Sequence, residues 1–173
     1  ARCLVAVRGL YAFLAREGKL AHDPRAGVSA PAWGRPIPTV LAREEVEELL
    51  DAAGPQAATG ARDRRLRLRD QAAWHLLYGC GLRISELCGL RCQDVEAEAG
   101  LLRCQGKGGK QRWVPLNRRA QAALRTYCEE ARPALMAAHP NCPWLFPSRG
   151  GRAISRQALW TRLHRVSAGA NRA

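Results

Sequence analysis

The chain has 173 residues and carries 28 Lys and Arg against 15 Asp and Glu, a formal charge of +13. Its 47% hydrophobic residues suffice for a core and its 25% charged residues are ordinary for a globular protein, so disorder is excluded as the default; no apolar run of about 18 residues offers a spanning helix or a signal-peptide core. The seven cysteines are odd in number and never spaced C-x-x-C, which excludes a disulfide framework and a zinc ribbon and suits a reducing cytoplasm.

Leu4, Val7, Tyr11 and Leu14 recur at helical spacing and predict an amphipathic helix over 2–17, ended by Gly18. A lone helix cannot bury that stripe, so it reads as the end of an earlier domain. Pro24, Pro31, Pro36 and Pro38 then mark a stiff linker and a domain boundary. Residues 43–53 predict a solvated acidic helix with Val46, Leu49 and Leu50 on one face. The next helix runs from Asp63 to about Tyr78, burying Leu66, Ala73, Leu76, Leu77 and Cys80, and Gly79 and Gly81 stop it. Its first turns hold Arg62, Arg64, Arg65, Arg67 and Arg69, a run that either follows a phosphate backbone or forms a solvated face. A short helix over 85–90 follows. Cys88 and Cys92, with His75 and Cys80 upstream, could be drawn as a metal site, but zinc ligand pairs sit at tighter spacings and small buried hydrophobes are the better reading.

The segment GLLRCQGKGGKQRWVPL, residues 100–116, predicts two strands around Gly108 and Gly109, since a two-residue type I′ turn needs positive φ at both central positions. In that register Lys107 faces Lys110 and Gln105 opposes Arg112. Arg103, Gln105, Lys107, Lys110 and Arg112 then share a solvent face, with Leu102, Cys104 and Trp113 turned to the core. A helix over 118–138, a loop PNCPWLFPSRGGR and a helix over 155–167 complete the chain. Ala1 opens it, Met136 is its single methionine, and no closing element follows the last helix, so the chain reads as a piece of a longer protein.

Three blocks in this order, RDQAAWHLLYGCGLRISELCGLRCQDV, GKGGKQRWVPL and WLFPSRGGRAISRQALWTRLHRV, resemble the catalytic domain of the tyrosine recombinases, or phage integrase family, in the manner of the bacterial Xer recombinases. The first helix, HDPRAGV and the Pro-rich stretch resemble the end of the family's core-binding domain. The resemblance implies a mainly α fold with a small antiparallel β-sheet: 1–27 closing a core-binding (SAM-like) domain, 28–40 a linker, and 41–173 the first part of the catalytic domain. The Gly-Lys segment is not a nucleotide loop, because G-x-x-x-x-G-K-[ST] must open a helix and strand-like QRWVPL follows here.

The resemblance places the family's first catalytic arginine at Arg83 and its catalytic lysine at Lys107. Guanidinium offers a permanently charged fork for the non-bridging oxygens of a phosphoryl-transfer transition state. The composition sharpens the lysine: 25 of the 28 basic residues are arginine, and two of the three lysines, Lys107 and Lys110, flank one glycine turn. Lysine can give up a proton and arginine cannot, which suits the task the resemblance implies for Lys107, general acid for the departing 5′ oxygen; Lys110 is by default a phosphate contact, and two solvated turn lysines are the plain alternative. Glu86 stands three residues after Arg83, where it either orients that arginine or merely complements the helix dipole. Asp94 needs only a turn or strand-start role. Arg62, Arg64, Arg65, Arg103, Gln105, Lys110 and Arg112 are the candidate DNA contacts.

The family's H-x-x-R motif and nucleophilic tyrosine have no match in these 173 residues; Tyr11, Tyr78 and Tyr127 precede that region and fit helix faces. The resemblance therefore implies a bacterial, cytoplasmic, nucleoid-associated enzyme of DNA recombination and integration, with this chain incomplete and inactive alone. It implies no metal or nucleotide cofactor and no membrane. Its partners are double-stranded DNA and a recombinase tetramer on two sites, of one kind of subunit or with a paralogous one. The alternatives are a non-catalytic DNA-binding remnant and a basic protein of an RNA particle; the second leaves G-L-R-I-S-E-L unexplained. The net charge predicts salt-dependent, largely non-specific affinity for DNA.

Overall fold

The structure, a computed structural model, describes residues 2–20, 22, 24, 40–52 and 54–170, with the side chains of 2, 57, 107 and 166–170 outside that description. The expected linker over 28–40 lies almost wholly outside the described residues. The chain divides into two compact units, Ala1–Val40 and Leu41–Ala173. In the first, helix α1 (Arg2–Arg16) ends as its sequence demands: Gly18 takes φ 65°, its N–H reaches the Ala15 carbonyl, and the Lys19 N–H reaches that of Leu14. This pair of bonds is a Schellman cap, which a glycine closes without a Cβ penalty.

The second unit is organised around one long helix. Helix α2 (Arg43–Ala52) starts with Glu44 and Glu45 at its positive end, and Glu45 accepts the Ala42 N–H at 2.6 Å. Helix α3 (Ala61–Cys80) buries Leu68, Ala72, Ala73, Trp74 and Leu76, more of its circumference than the single stripe expected, because it lies in the middle with α2 and the later helices packed around it. It also runs through Gly79, an expected stop, and ends only at Gly81 with φ 62°. Gly79 has another reason to be glycine: a Cβ there would strike the side-chain amide of Asn117. Cys80 and Cys88 pack against the core, and burial pushes their thiols up, as small buried hydrophobes require. Among the described residues no group of three His, Cys, Asp or Glu is placed to hold a metal ion.

Helix α4 (Ile84–Cys88) leads through a turn at Cys92–Asp94 into a three-stranded antiparallel sheet of order β1 (Val95–Glu96), β2 (Leu101–Gln105), β3 (Gln111–Pro115). Strand β1 was not expected from the sequence; two residues are too few to show a period. The hairpin differs from expectation by one residue. Gln105 pairs with Gln111, Cys104 with Arg112, Arg103 with Trp113 and Leu102 with Val114. Gly108 and Gly109 do take positive φ, 75° and 77°, but Lys107 joins them in a three-residue loop closed by Gly106 N–H to Lys110 carbonyl at 2.7 Å. A slip of one residue exchanges the faces of a strand. Trp113 therefore stands outward beside Arg103, 49% exposed, and Arg112 turns to the side of Leu102 and Cys104.

The predicted helix over 118–138 is a continuous run of α5 (Arg118–Thr126), a π turn (Tyr127–Ala131) and α6 (Arg132–Leu135). Asn117 caps it by accepting the Ala120 N–H at 2.8 Å. Pro133 has no N–H for the carbonyl four residues back, which fits a widened turn at this place. Tyr127 is fully buried in that turn: its hydroxyl donates to the Leu145 carbonyl at 2.9 Å and its ring stacks on Phe146. Helix α7 (Arg156–Ala170) closes the unit, with the Ser155 hydroxyl accepting the Ala158 N–H at 3.1 Å.

Candidate functional site

Arg83 is the residue that starts α4, with extended φ and ψ of −71° and 147°. Its backbone N–H and its Nη1 both donate to the Glu86 carboxylate, at 2.9 and 3.0 Å, the second half of this contact being possible because three residues of helix bring position 86 back over the cap. From the hairpin, Arg112 gives Nη1 to Glu86 Oε1 at 2.7 Å and Nη2 to Oε2 at 2.8 Å. The side chain of Glu86 is 3% exposed, yet those of Arg83 and Arg112 are 72% and 41% exposed. The forked bond from Arg112, opposed by burial and helped by the two Arg83 bonds, holds the Glu86 carboxyl well below its ordinary range, at about 2. The carboxylate is therefore charged at any physiological pH, and one buried anion holds two cations whose outer edges meet solvent.

Next to this cluster lies a polar cavity of about 390 Å³ lined by Ser85, Glu86, Arg103, Gln105, Gly106 and Gln111. Arg103 is steered over it by Asp94, which accepts its Nε and Nη2 at 3.1 and 2.9 Å and also accepts the Arg91 N–H at 2.9 Å. Asp94 thus serves its turn and aims a cation. Lys110 is exposed just beyond the turn, while the side chain of Lys107 lies outside the described residues.

The structure therefore gathers Arg83, Glu86, Arg103, Gln105 and Arg112 at one end of the unit, but not Arg62, Arg64 and Arg65. These stand on the first turns of α3, and a 20-residue helix separates them from Gly81 by about 25 Å. Arg64 pairs with Glu130 at 2.8 Å, as on a solvated face. Arg112 was expected on the open face of the hairpin and is instead committed to Glu86. Tyr127, with its hydroxyl bonded and its titration pushed upward by burial, offers no nucleophile.

A second buried carboxylate was not anticipated. Asp70, on α3, accepts Arg69 Nε and Nη2 at 3.0 and 2.7 Å and Arg162 Nε, from α7, at 2.5 Å. The only signal in the sequence is the run of arginines before it, which looks like solvent-facing helix. Arg132 likewise fastens the loop before α7, donating to the carbonyls of Cys142 at 2.6 Å and Trp144 at 2.9 Å.

Residues 39–173 match the model of the phage integrase family. The chain is 40% identical over 163 residues to tyrosine recombinase XerD of Pseudomonas aeruginosa, covering 94% of this chain and 52% of that protein, and 43% identical over 165 residues to XerD of Corynebacterium glutamicum, covering 95% and 52%. It spans about half the length of the curated relatives it matches. Its fold is similar to that of XerH site-specific recombinase in a post-cleavage complex with palindromic difH substrate, with a TM-score of 0.70 at 22% identity, over 96% of this chain and 46% of that one. The expected fold, mainly α with a small antiparallel sheet, is the one found. With a family match over most of its length and relatives above 30% identity, the chain belongs to the phage integrase family, that of the tyrosine recombinases.

Proposed function

We propose that this chain is part of a site-specific recombinase that cuts and rejoins double-stranded DNA. The observation that carries the reading is Arg83: an arginine bonded to a buried carboxylate and still 72% exposed, at the start of a helix beside a lysine-bearing hairpin. A guanidinium so anchored is preorganised for a phosphodiester, whose non-bridging oxygens gain charge in the transition state. In the reaction the family resemblance implies, a tyrosine oxygen bonds to phosphorus, the bond to the 5′ oxygen breaks, and that oxygen takes a proton from Lys107. The 3′-phosphotyrosyl link keeps the energy of the broken bond, and a free 5′ hydroxyl from a partner strand reverses the step. None of Tyr11, Tyr78 and Tyr127 is proposed as that nucleophile.

In the same reading 1–27 end a core-binding domain, 28–40 link it to the catalytic domain of 41–173, and Arg103, Gln105 and Lys110 contact DNA. The assembly is a tetramer on two DNA sites, of one kind of subunit or a paralogous pair, acting in the bacterial cytoplasm. Among the described residues no helix is long and apolar enough to cross a membrane.

The test is single-turnover cleavage of a nicked suicide DNA site by the protein translated from the uninterrupted reading frame. A covalent protein–DNA adduct is expected, and its loss in Arg83→Ala. DNA binding without any adduct identifies a non-catalytic remnant, and an undiminished adduct in Arg83→Ala removes that residue from the site.

A further inference from the structure

The hairpin register leaves Arg112 with a task that DNA contact does not explain. It reaches 26 residues back along the chain and closes a two-pronged bond on Glu86. Two parallel N–H···O bonds fix both the distance and the plane of the partner. Together with the Arg83 amide and Arg83 Nη1, they give the carboxylate four donors, about as many as its two oxygens accept.

Two consequences follow from that count. With Arg83 as its only cation, a nearly buried carboxylate would draw the guanidinium down, and an incoming phosphate would meet an ion pair of no net charge, its carboxylate 3.0 Å from Arg83 Nη1. Arg112 supplies the compensation, so the trio carries a net positive charge and Arg83 spends a single side-chain N–H on Glu86. The same bond also fastens β3 to α4. Gly106 lies in the angle between them, where a Cβ would touch Arg112 Nη1 at 3.6 Å and Glu86 Oε1 at 3.8 Å, so the strand entering the lysine turn is packed against the cluster.

We propose that Arg112 is a positioning residue: its fork on Glu86 presents Arg83 to a phosphate and holds the turn bearing Lys107 and Lys110 in the same frame. The proposal rests on the reading of Arg83 as a phosphate ligand.

The experiment uses the 173-residue chain and a short random-sequence DNA duplex, with the Arg83 side-chain resonance followed during titration. Arg112→Lys keeps the charge but cannot fork, and should weaken saturation of that signal about fivefold; Arg112→Met should weaken it about tenfold. In a Glu86→Gln background, where no carboxylate needs compensation, the Arg112→Met loss should shrink to about twofold. Should Arg112→Met fail to fold, the lysine variant decides alone. An Arg112→Lys chain that matches the wild type reduces Arg112 to bulk charge, and an undiminished loss in the Glu86→Gln background cuts its link to Glu86; either result overturns the proposal. A wild-type Arg83 signal that ignores DNA while the amides of Arg62, Arg64 and Arg65 respond overturns the phosphate reading itself, and is seen before any variant is made.

Discussion

Among the described residues two buried carboxylates are each held by two arginines, and only one of the clusters leaves its cations open to solvent. Asp70 and Glu86 are alike, with side chains 3% exposed. Their partners differ: Arg69 and Arg162 are 12% and 25% exposed, whereas Arg83 and Arg112 are 72% and 41% exposed. Around Asp70 the positive groups are covered and tie α7 to α3 across 92 residues of chain. Around Glu86 they remain open to solvent. The carboxylate alone does not separate a closed structural cluster from one that can meet a ligand; the uncovered surface of its cations does.

Matched truncations would break this distinction if it is wrong. If the proposed cleavage reaction is right, Arg83→Ala should slow it about 1000-fold, the loss typical of a removed transition-state donor. Its urea stability should stay within about 0.5 kcal/mol of wild type, because the removed atoms are mostly in water. Asp70→Ala should do the opposite, costing about 3 kcal/mol of stability by leaving two arginines facing a hole where their anion was. Urea denaturation of the 173-residue chain reads this directly. Equal losses of stability in Arg83→Ala and Asp70→Ala would erase the difference between the clusters.

The open cluster was half legible in the sequence and the closed one was not. Arg83 and Glu86 lie three residues apart in G-L-R-I-S-E-L, so one helical turn is enough to pair them. Arg112 was expected on the open face because Gly108 and Gly109 alone read as a two-residue turn, which sets Arg112 opposite Gln105. The structure sends Val114 inward, since the three-residue turn shifts the register and Arg112 thereby reaches Glu86. Asp70 escaped because its partners are a neighbour in sequence and an arginine on another helix, a distance over which no local pattern reports. The helices themselves followed from spacing and caps, apart from α3, where Gly79 signals a close neighbour instead of an end.

The smallest predicted effect concerns acid. Glu86 titrates at about 2 when folded against an ordinary 4.5, chiefly because Arg112 bonds to its charged form. A carboxylate with a depressed folded pKa contributes stability that is complete above its unfolded value and is lost as the pH falls through the folded one. The chain should therefore lose stability between about pH 4.5 and pH 2. Asp63, held by Arg67, and Glu47, held first by Arg43, are also lowered and act in the same direction, but they stand at the surface, where solvent screens most of the gain. Glu86→Gln removes the one buried contributor among the three. The slope of urea stability against pH should then be visibly shallower than in wild type, while Glu47→Gln should leave it nearly unchanged. A slope untouched by Glu86→Gln would mean that Arg112 and Arg83 hold the carboxylate no more tightly in the fold than water does in the unfolded chain, and the open cluster would then owe its form to packing around Gly106 and the turn.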